Sequence, residues 1–280
     1  MKNRIIDGFI YFQEDDMLEI RLNVLKDVVD YFVIVEGNRT FSNLEKSFEL
    51  ESKLETRFKD FKDKIIYIKC DMSKVGKGKD FTKKKTYTPT DGYWSLEYFQ
   101  RNTIKEGFEK LNIKDDDIIL VSDIDEIPNP KVFELFRKLS KTPYKLGMFY
   151  KGLFLNRISN SADWHYSTIS KYENIKHLTP QQIRMNFSFP IIKNIGWHFS
   201  YCGGAEMIQK KLKSFSHSEF STEEYTNLEH INNSLNGTQD LLDKSNNNEI
   251  RKYEEITFPE YPQWLVDNQD KYNHLIKEIK

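Results

Sequence analysis

Cysteine, net charge and long apolar runs are all scarce in this chain, and each shortage removes a class of protein. Cys70 and Cys202 are the only cysteines among 280 residues, far apart and in no metal-ligand spacing. That excludes a disulfide framework, and a reducing compartment is the simpler expectation. A formal net charge of −1 gives no global field for nucleic acid, so any anionic ligand has to be held by local groups. No apolar run is long enough to span a bilayer, and the N-terminus enters a strand-like segment with no signal peptide. A cytoplasmic protein without a membrane span is therefore expected. Neither a repeat nor a linker divides the chain, which points to one domain over 1–280.

A hydrophobic content of 38% and a charged content of 30% are those of a folded globular chain. Aromatic content is high at 14%, which fills a core with Phe and also suits a sugar-binding cleft. The sequons beginning at Asn38, Asn186, Asn232 and Asn236 are read as chance in an Asn-rich chain.

The most informative stretch is Ile118-Ile119-Leu120-Val121 followed by Ser122-Asp123-Ile124-Asp125-Glu126-Ile127-Pro128. Four apolar residues, three of them β-branched, read as a strand buried on both faces, and Pro128 cannot continue a ladder. Carboxylates at the C-terminal end of such a strand occupy the usual ligand position of an open α/β sheet. Grouped hard oxygens suit Mg²⁺ or Mn²⁺. The plainer alternative is a strand ending in a solvated acidic turn.

Before that stretch, Arg4–Phe12 is a strand, Leu18, Leu22, Leu25 and Val29 fall at helical spacing, and Tyr31–Glu36 is a second strand. Glu14, Asp15 and Asp16 suit the N-terminus of the intervening helix. The charged segment 44–62 carries one helix, Ile65–Ile68 is a third strand, and the Lys-rich 74–85 reads as a surface loop or a lid over phosphates. Over 93–111 a helix places Trp94, Tyr98 and Arg101 on one line and Ile104, Phe108 and Leu111 on another. Three β-α units thus precede Asp123 and predict a Rossmann-like, mostly parallel sheet. Beyond Pro143, strands at 146–155 and 191–197 flank an irregular stretch, 157–190, expected to hold short antiparallel strands. A helix over 206–215 turns Ile208, Leu212 and Phe215 inward and Lys210, Lys211 and Lys213 outward. The segment 235–248 reads as a polar loop and 261–279 as a last helix.

Three blocks carry a family resemblance. They are Asp7–Phe12 with Leu18–Leu22 and Asp27–Thr40, then Gln100-Arg101-Asn102 with Ser122–Pro128, and finally Gly196–Tyr201. Together, over Arg4–Phe220, they resemble glycosyltransferase family 17, the family of β-1,4-mannosyl-glycoprotein N-acetylglucosaminyltransferases. The resemblance implies a GT-A-like fold, with a nucleotide-sugar-binding half over 1–130 and a mixed acceptor-side half over 131–280. It also implies a UDP-sugar donor, a glycan acceptor, Mn²⁺ or Mg²⁺, and inversion at the anomeric carbon.

Carried onto this chain, Asp123 and Asp125 become the Asp-x-Asp motif that meets metal and diphosphate. Glu126 either touches the donor or orients Asp125. Glu36, Asn38 and Thr40 are nucleotide-site candidates by location alone. Arg101 either meets a phosphate or pairs with Glu97 four residues away. His198 is the expected third metal ligand, with His217 as its rival. For the proton-accepting carboxylate, Glu206 and then Asp163 are the choices, and Trp164, Trp197 and Tyr201 are candidates to stack on a sugar. Two other classes stay open: a phosphohydrolase with an aspartyl nucleophile, and a non-catalytic sugar-binding protein.

Overall fold

A computed structural model describes residues 3–75, 92–139, 143–237, 241–242, 253–255 and 261–277, with backbone alone for 158–163 and 253–255. The first half runs β1 (Ile5–Tyr11), α1 (Asp15–Leu25), β2 (Tyr31–Gly37), α2 (Leu50–Leu54), β3 (Ile65–Cys70), α3 (Gly92–Asn102), α4 (Ile104–Lys110), β4 (Ile118–Val121) and β5 (Glu126–Pro128). The second half runs α5 (Lys131–Leu139), β6 (Tyr144–Leu146), β7 (Met148–Gly152), β8 (Arg157–Trp164), β9 (Thr168–Lys171), α6 (Tyr172–Ile175), α7 (Pro180–Met185), β10 (Ile191–Ile192), β11 (Gly196–Ser200), α8 (Gly204–Ser214), α9 (Glu223–Thr226), α10 (Leu228–Asn236), β12 (Tyr253–Glu255) and α11 (Gln263–Asp267).

A seven-stranded sheet has the order β10-β6-β9-β4-β1-β2-β3. The ladders β3-β2-β1-β4 are parallel, while β9 runs antiparallel to both β4 and β6. Strands β1, β2 and β4 are apolar on both faces because helices cover both. Phe9, Phe32, Ile34, Ile118 and Leu120 join one core with α1, and Ile6, Val33, Val35, Ile119 and Val121 join the other with α3 and α4. A five-stranded sheet, β12-β8-β7-β11-β5, starts where the first leaves off. Strands β4 and β5 are consecutive but belong to different sheets, so Ser122–Asp125 forms the joint between them.

Several expected elements differ in extent. The helix over 93–111 divides at Asn102–Thr103, where the Thr103 hydroxyl bonds back to the Phe99 carbonyl (2.9 Å), a contact that bends helices. The two residue lines then serve different ends: Trp94, Tyr98 and Arg101 line a cleft, and Ile104 and Phe108 enter the core. The charged segment 44–62 holds only α2 and the start of a 3₁₀ turn, and the last helix is α11 plus a 3₁₀ turn. Leu235, expected in a loop, is buried at the end of α10. The Lys-rich stretch lies mostly outside the described residues. Among the described residues no helix is long and apolar enough to cross a membrane.

The joint is held from below by Arg21 of α1, whose side chain is fully buried. Its guanidinium donates Nε and Nη2 to the two Asp7 carboxylate oxygens (2.8 and 2.7 Å). Nη1 donates to the carbonyls of Asp123, Ile124 and Glu126 (2.9, 3.2 and 2.8 Å), and Nη2 also reaches Ser122 Oγ (2.5 Å). The planar fork of five donors makes this possible, and an ammonium cannot replace it. Replacing Arg21 by Met strands the Asp7 carboxylate in the core. The expected loss is about 3–5 kcal/mol of folding stability, read from the midpoint of denaturant unfolding.

Candidate active site

Strand order reverses between β1 and β4: β2 and β3 lie to one side of β1, and β4 to the other. Open α/β sheets bind ligands at the C-terminal ends of the strands that flank such a switch. A cleft of about 410 Å³ opens there, lined by Tyr11, Phe12 and Glu14 after β1 and by Asp123 and Asp125 after β4. Its far walls are the Trp94–Arg101 face of α3, Trp164 and Tyr166 ahead of β9, Arg184 of α7, His198 of β11 and Lys211 of α8.

Asp123 stands between two arginines. Its Oδ1 accepts from Arg101 Nη2 (2.9 Å) and its Oδ2 from Arg184 Nη2 (2.6 Å). Arg101 also binds Glu97 (2.8 Å) and the Gln181 side chain, so the expected pairing with the residue four positions earlier is present. Arg184 reaches its place through a local device. Thr179-Pro180-Gln181-Gln182 forms a capping box with Pro at the first helical position, which fixes the start of α7 (3.2 and 2.9 Å). Glu126 is fully buried and accepts from both Arg184 Nη atoms (2.8 Å each), Trp164 Nε1 (2.6 Å), Ser167 Oγ (2.6 Å) and the Asp123 amide (3.0 Å). It therefore holds the Asp123 backbone, Arg184 and the Trp164 ring in place.

Asp125 faces a different set. Lys211 Nζ lies 3.1 Å from its Oδ2, and His198 Nε2 lies 3.6 Å from its Oδ1. Burial alone would raise this carboxyl, but the Lys211 ammonium and His198 hold it far below the ordinary range. His198 is set by register, opposite Glu126 across β5–β11, while the Phe199 amide donates to the Asp125 carbonyl (2.8 Å). The Trp164 ring stacks on the imidazole at 4.1 Å. The other ring nitrogen, Nδ1, is buried with no hydrogen-bond partner among the described residues, so no protein acceptor competes with Asp125 for this ring. A carboxylate oxygen and an imidazole nitrogen at this spacing are donor types that fit Mn²⁺. Such ions take few protein ligands and complete their shell with water and substrate phosphate. Among the described residues no group of three or more His, Cys, Asp or Glu could hold a metal unaided. Both Asp123 oxygens are engaged by guanidiniums, so in this arrangement Asp125 and His198 are the fitting pair.

Glu14 completes the cluster. It caps nothing through its side chain at the start of α1 but accepts from the Phe12 amide (3.0 Å) and lies 3.6 Å from Lys211 Nζ. Burial pushes its carboxyl up to about 7; Lys211 pulls it down, and Asp125 and Asp123 push it up. Tyr201, with φ of 57° in the left-handed region, places its ring 5.5 Å from that ammonium.

A sequence profile of glycosyltransferase family 17 matches residues 1–278. The chain belongs to glycosyltransferase family 17. Its curated relatives include the β-1,4-mannosyl-glycoprotein 4-β-N-acetylglucosaminyltransferases of rat and human, 25% and 24% identical over 98% of this chain. Those alignments cover 54% and 55% of the relatives, so the chain spans about half the length of the curated relatives it matches. Among solved structures it is similar to a mannosyltransferase from Pyrobaculum calidifontis in complex with GDP-Man and Mn²⁺. There the TM-score is 0.40 and the identity 8%, over 84% of this chain and 70% of the other. The mostly parallel seven-stranded sheet, flanked by helices and followed by a mixed sheet, is the GT-A-like architecture expected of the family.

Within this family 17 chain, several expected site residues stand elsewhere. Glu36 is fully buried and accepts from Lys46 Nζ, Tyr67 OH and the amides of Glu49 and Leu50, so it anchors the chain after β2 and lies outside the cleft lining. Asn38 bonds Asp71 and the Met72 amide, and Thr40 bonds Ser42 and the Leu44 amide. Neither lines the cleft, which opens beside β1 and β4 and away from the β2–β3 edge; Phe41 is the nearest residue of that segment to do so. Glu206 is exposed in the first turn of α8, outside the cleft lining. Asp163 pairs with Phe149 through the backbone, and its side chain lies outside the described residues. Trp197 is a core residue, whereas Trp164 and Tyr201 line the cleft. His217 lines it as well, but its Nδ1 is 2.8 Å from Glu219, and it does not join the Asp125 cluster.

Arg184 holds Glu126 well below the usual carboxylate range against the opposing effect of burial. A carboxyl lowered by folding adds stability above its unfolded value, and that stability is lost as pH falls through the folded value. Stability should therefore drop between roughly pH 5 and pH 2, and Glu126→Gln should flatten that slope while lowering stability at neutral pH. Urea midpoints measured across that range check both effects.

Proposed function

We propose that this chain is a metal-dependent, inverting glycosyltransferase that moves a sugar, GlcNAc or a related hexose, from a UDP-sugar to a glycan acceptor hydroxyl. The observation that carries the reading is the position of Asp125. It lies in the cleft at the β1–β4 switch, with Arg101, Arg184 and Lys211 gathered around the motif, a charge distribution suited to a diphosphate. Family membership supports the reaction class. In this reading the site draws on both halves of the chain: Glu14, Arg101 and Asp125 come from 1–130, and Arg184, His198 and Lys211 from 131–280.

Asp125 and His198 are the residues that would hold Mn²⁺ or Mg²⁺, which when bound supplies positive charge to the leaving diphosphate. Arg101 and Arg184, held by Asp123, Glu97 and Glu126, line the cleft beside the motif and place positive charge there, and a phosphate that meets them shares them with those carboxylates. Trp164, held by Glu126, offers an aromatic wall for a sugar ring. The proton of the attacking hydroxyl needs a carboxylate that is ionised near neutrality yet basic. Glu97, Asp123 and Asp125 are each clamped by cations or hydrogen bonds, and Glu14 is the cleft carboxylate poised near pH 7. We assign it that role.

UDP with Mn²⁺ should raise the melting temperature, by the equivalent of about 2.7 kcal/mol at a hundredfold excess over Kd. No shift with UDP, or release of phosphate from simple esters, would count against a transferase. Asp125→Ala should lower sugar transfer by about a hundredfold or more while the circular dichroism spectrum is retained. For Glu14 the sign is that of a base: transfer rises as pH climbs through about 7, and Glu14→Gln removes that rising limb from the kcat/KM profile.

A further inference from the structure

Lys211 is the one of three neighbouring lysines on α8 whose head group turns into the cleft. Its Nζ is 3.1 Å from Asp125 Oδ2 and 3.6 Å from Glu14 Oε1, and its side chain is 26% exposed. Lys210 and Lys213 stand outside on the same helix. Guanidiniums already engage both oxygens of Asp123, so Asp125 is the carboxylate of the motif left for an incoming cation. One of its two oxygens carries the ammonium.

We propose that Lys211 is an internal cation of the donor site. It holds Asp125 until a divalent metal arrives, and then passes to the donor diphosphate. This rests on the reading of Asp125 as a metal ligand of a nucleotide-sugar site. An ammonium and a divalent ion repel one another across a single carboxylate, so each weakens the other's hold. The four-carbon lysine stem and its partial exposure let the head group move. The diphosphate offers it a second anion inside the same cleft. Metal and nucleotide binding are thereby coupled through one side chain, and the coupling is reciprocal: each raises the affinity of the other by the same factor.

The test is Mn²⁺ titration of the intact chain with and without UDP, read as free Mn²⁺ by electron paramagnetic resonance. Wild type, Lys211→Met, Lys213→Met and Asp125→Asn are compared after circular dichroism has confirmed folding. Lys211→Met should bind Mn²⁺ about tenfold more tightly without UDP, the order expected from removing one charge-assisted hydrogen bond. In it, the gain in Mn²⁺ affinity caused by UDP should shrink. Lys213→Met, an equal loss of charge on the outer face, should behave as wild type. If Lys211→Met leaves Mn²⁺ affinity unchanged while Asp125→Asn weakens it, the metal site stands and the internal-cation role is overturned. Equal tightening in Lys213→Met overturns it too, since general charge would then be the cause. If Asp125→Asn binds Mn²⁺ as wild type does, the metal assignment itself falls and this inference with it.

Discussion

The cleft depends on a guanidinium that never touches it. Arg21 is buried beneath the Ser122–Glu126 joint, tied to Asp7 on the neighbouring strand and to three carbonyls of the turn. Those carbonyls point inward because one fixed cation satisfies them together. The side chains of Asp123 and Asp125 are then free to project the other way. A loop of the same composition without this anchor would have polar backbone groups to satisfy in a closed core, at a cost comparable to the hydrogen bonds themselves. The pairing of Asp7 with Arg21 thus fixes the geometry of acidic residues more than a hundred positions further along the chain.

Charge in the cleft is arranged in two compartments. Asp123 and Glu126 share Arg184, and Arg101 closes the other side of Asp123. Buried ion pairs of this kind gain little net energy but lose much when one member is removed, so they act as geometric constraints. Asp125, Glu14, His198 and Lys211 form the second compartment, with longer separations and one carboxyl poised near neutrality. The first compartment is locked, and the second has groups that can exchange partners.

The sequence made the strands legible wherever burial on both faces left only apolar residues, as in Ile118–Val121, and α1 wherever its apolar positions fell at helical spacing. The family's blocks also point to Asp125 and His198, which line the cleft. The rest failed for identifiable reasons. Strand order cannot be read from β-α alternation alone, so location along the chain points to Glu36, Asn38 and Thr40, whereas the cleft opens beside β1 and β4. Lys211 reads as outward because the helical pattern counts apolar residues. Yet a lysine beside Leu212 can lay its stem along the apolar face and extend its head past it. Arg184 is not legible from its capping box, because a cap announces where a helix starts and says nothing of which arginine it aims. Glu14 reads as a helix cap, a common use of an acid at that position, and only the fold brings it to Asp125.

The reversed strand β9 has a consequence for how such a molecule can diversify. Because β9 runs against β4, its beginning lies beside the end of β4: Thr168 is opposite Val121. The segment entering β9, with Trp164, Tyr166 and Ser167, therefore arrives at the same rim as the acidic turn leaving β4. In a wholly parallel sheet, that rim could be built only from the exits of strands. Here an entrance and an exit share it, and the entering segment can be lengthened or rewritten without moving any strand of the parallel set. Changes in that segment reshape the rim of the cleft while the parallel strands stay in place, provided Trp164 and Ser167 keep their hydrogen bonds to Glu126.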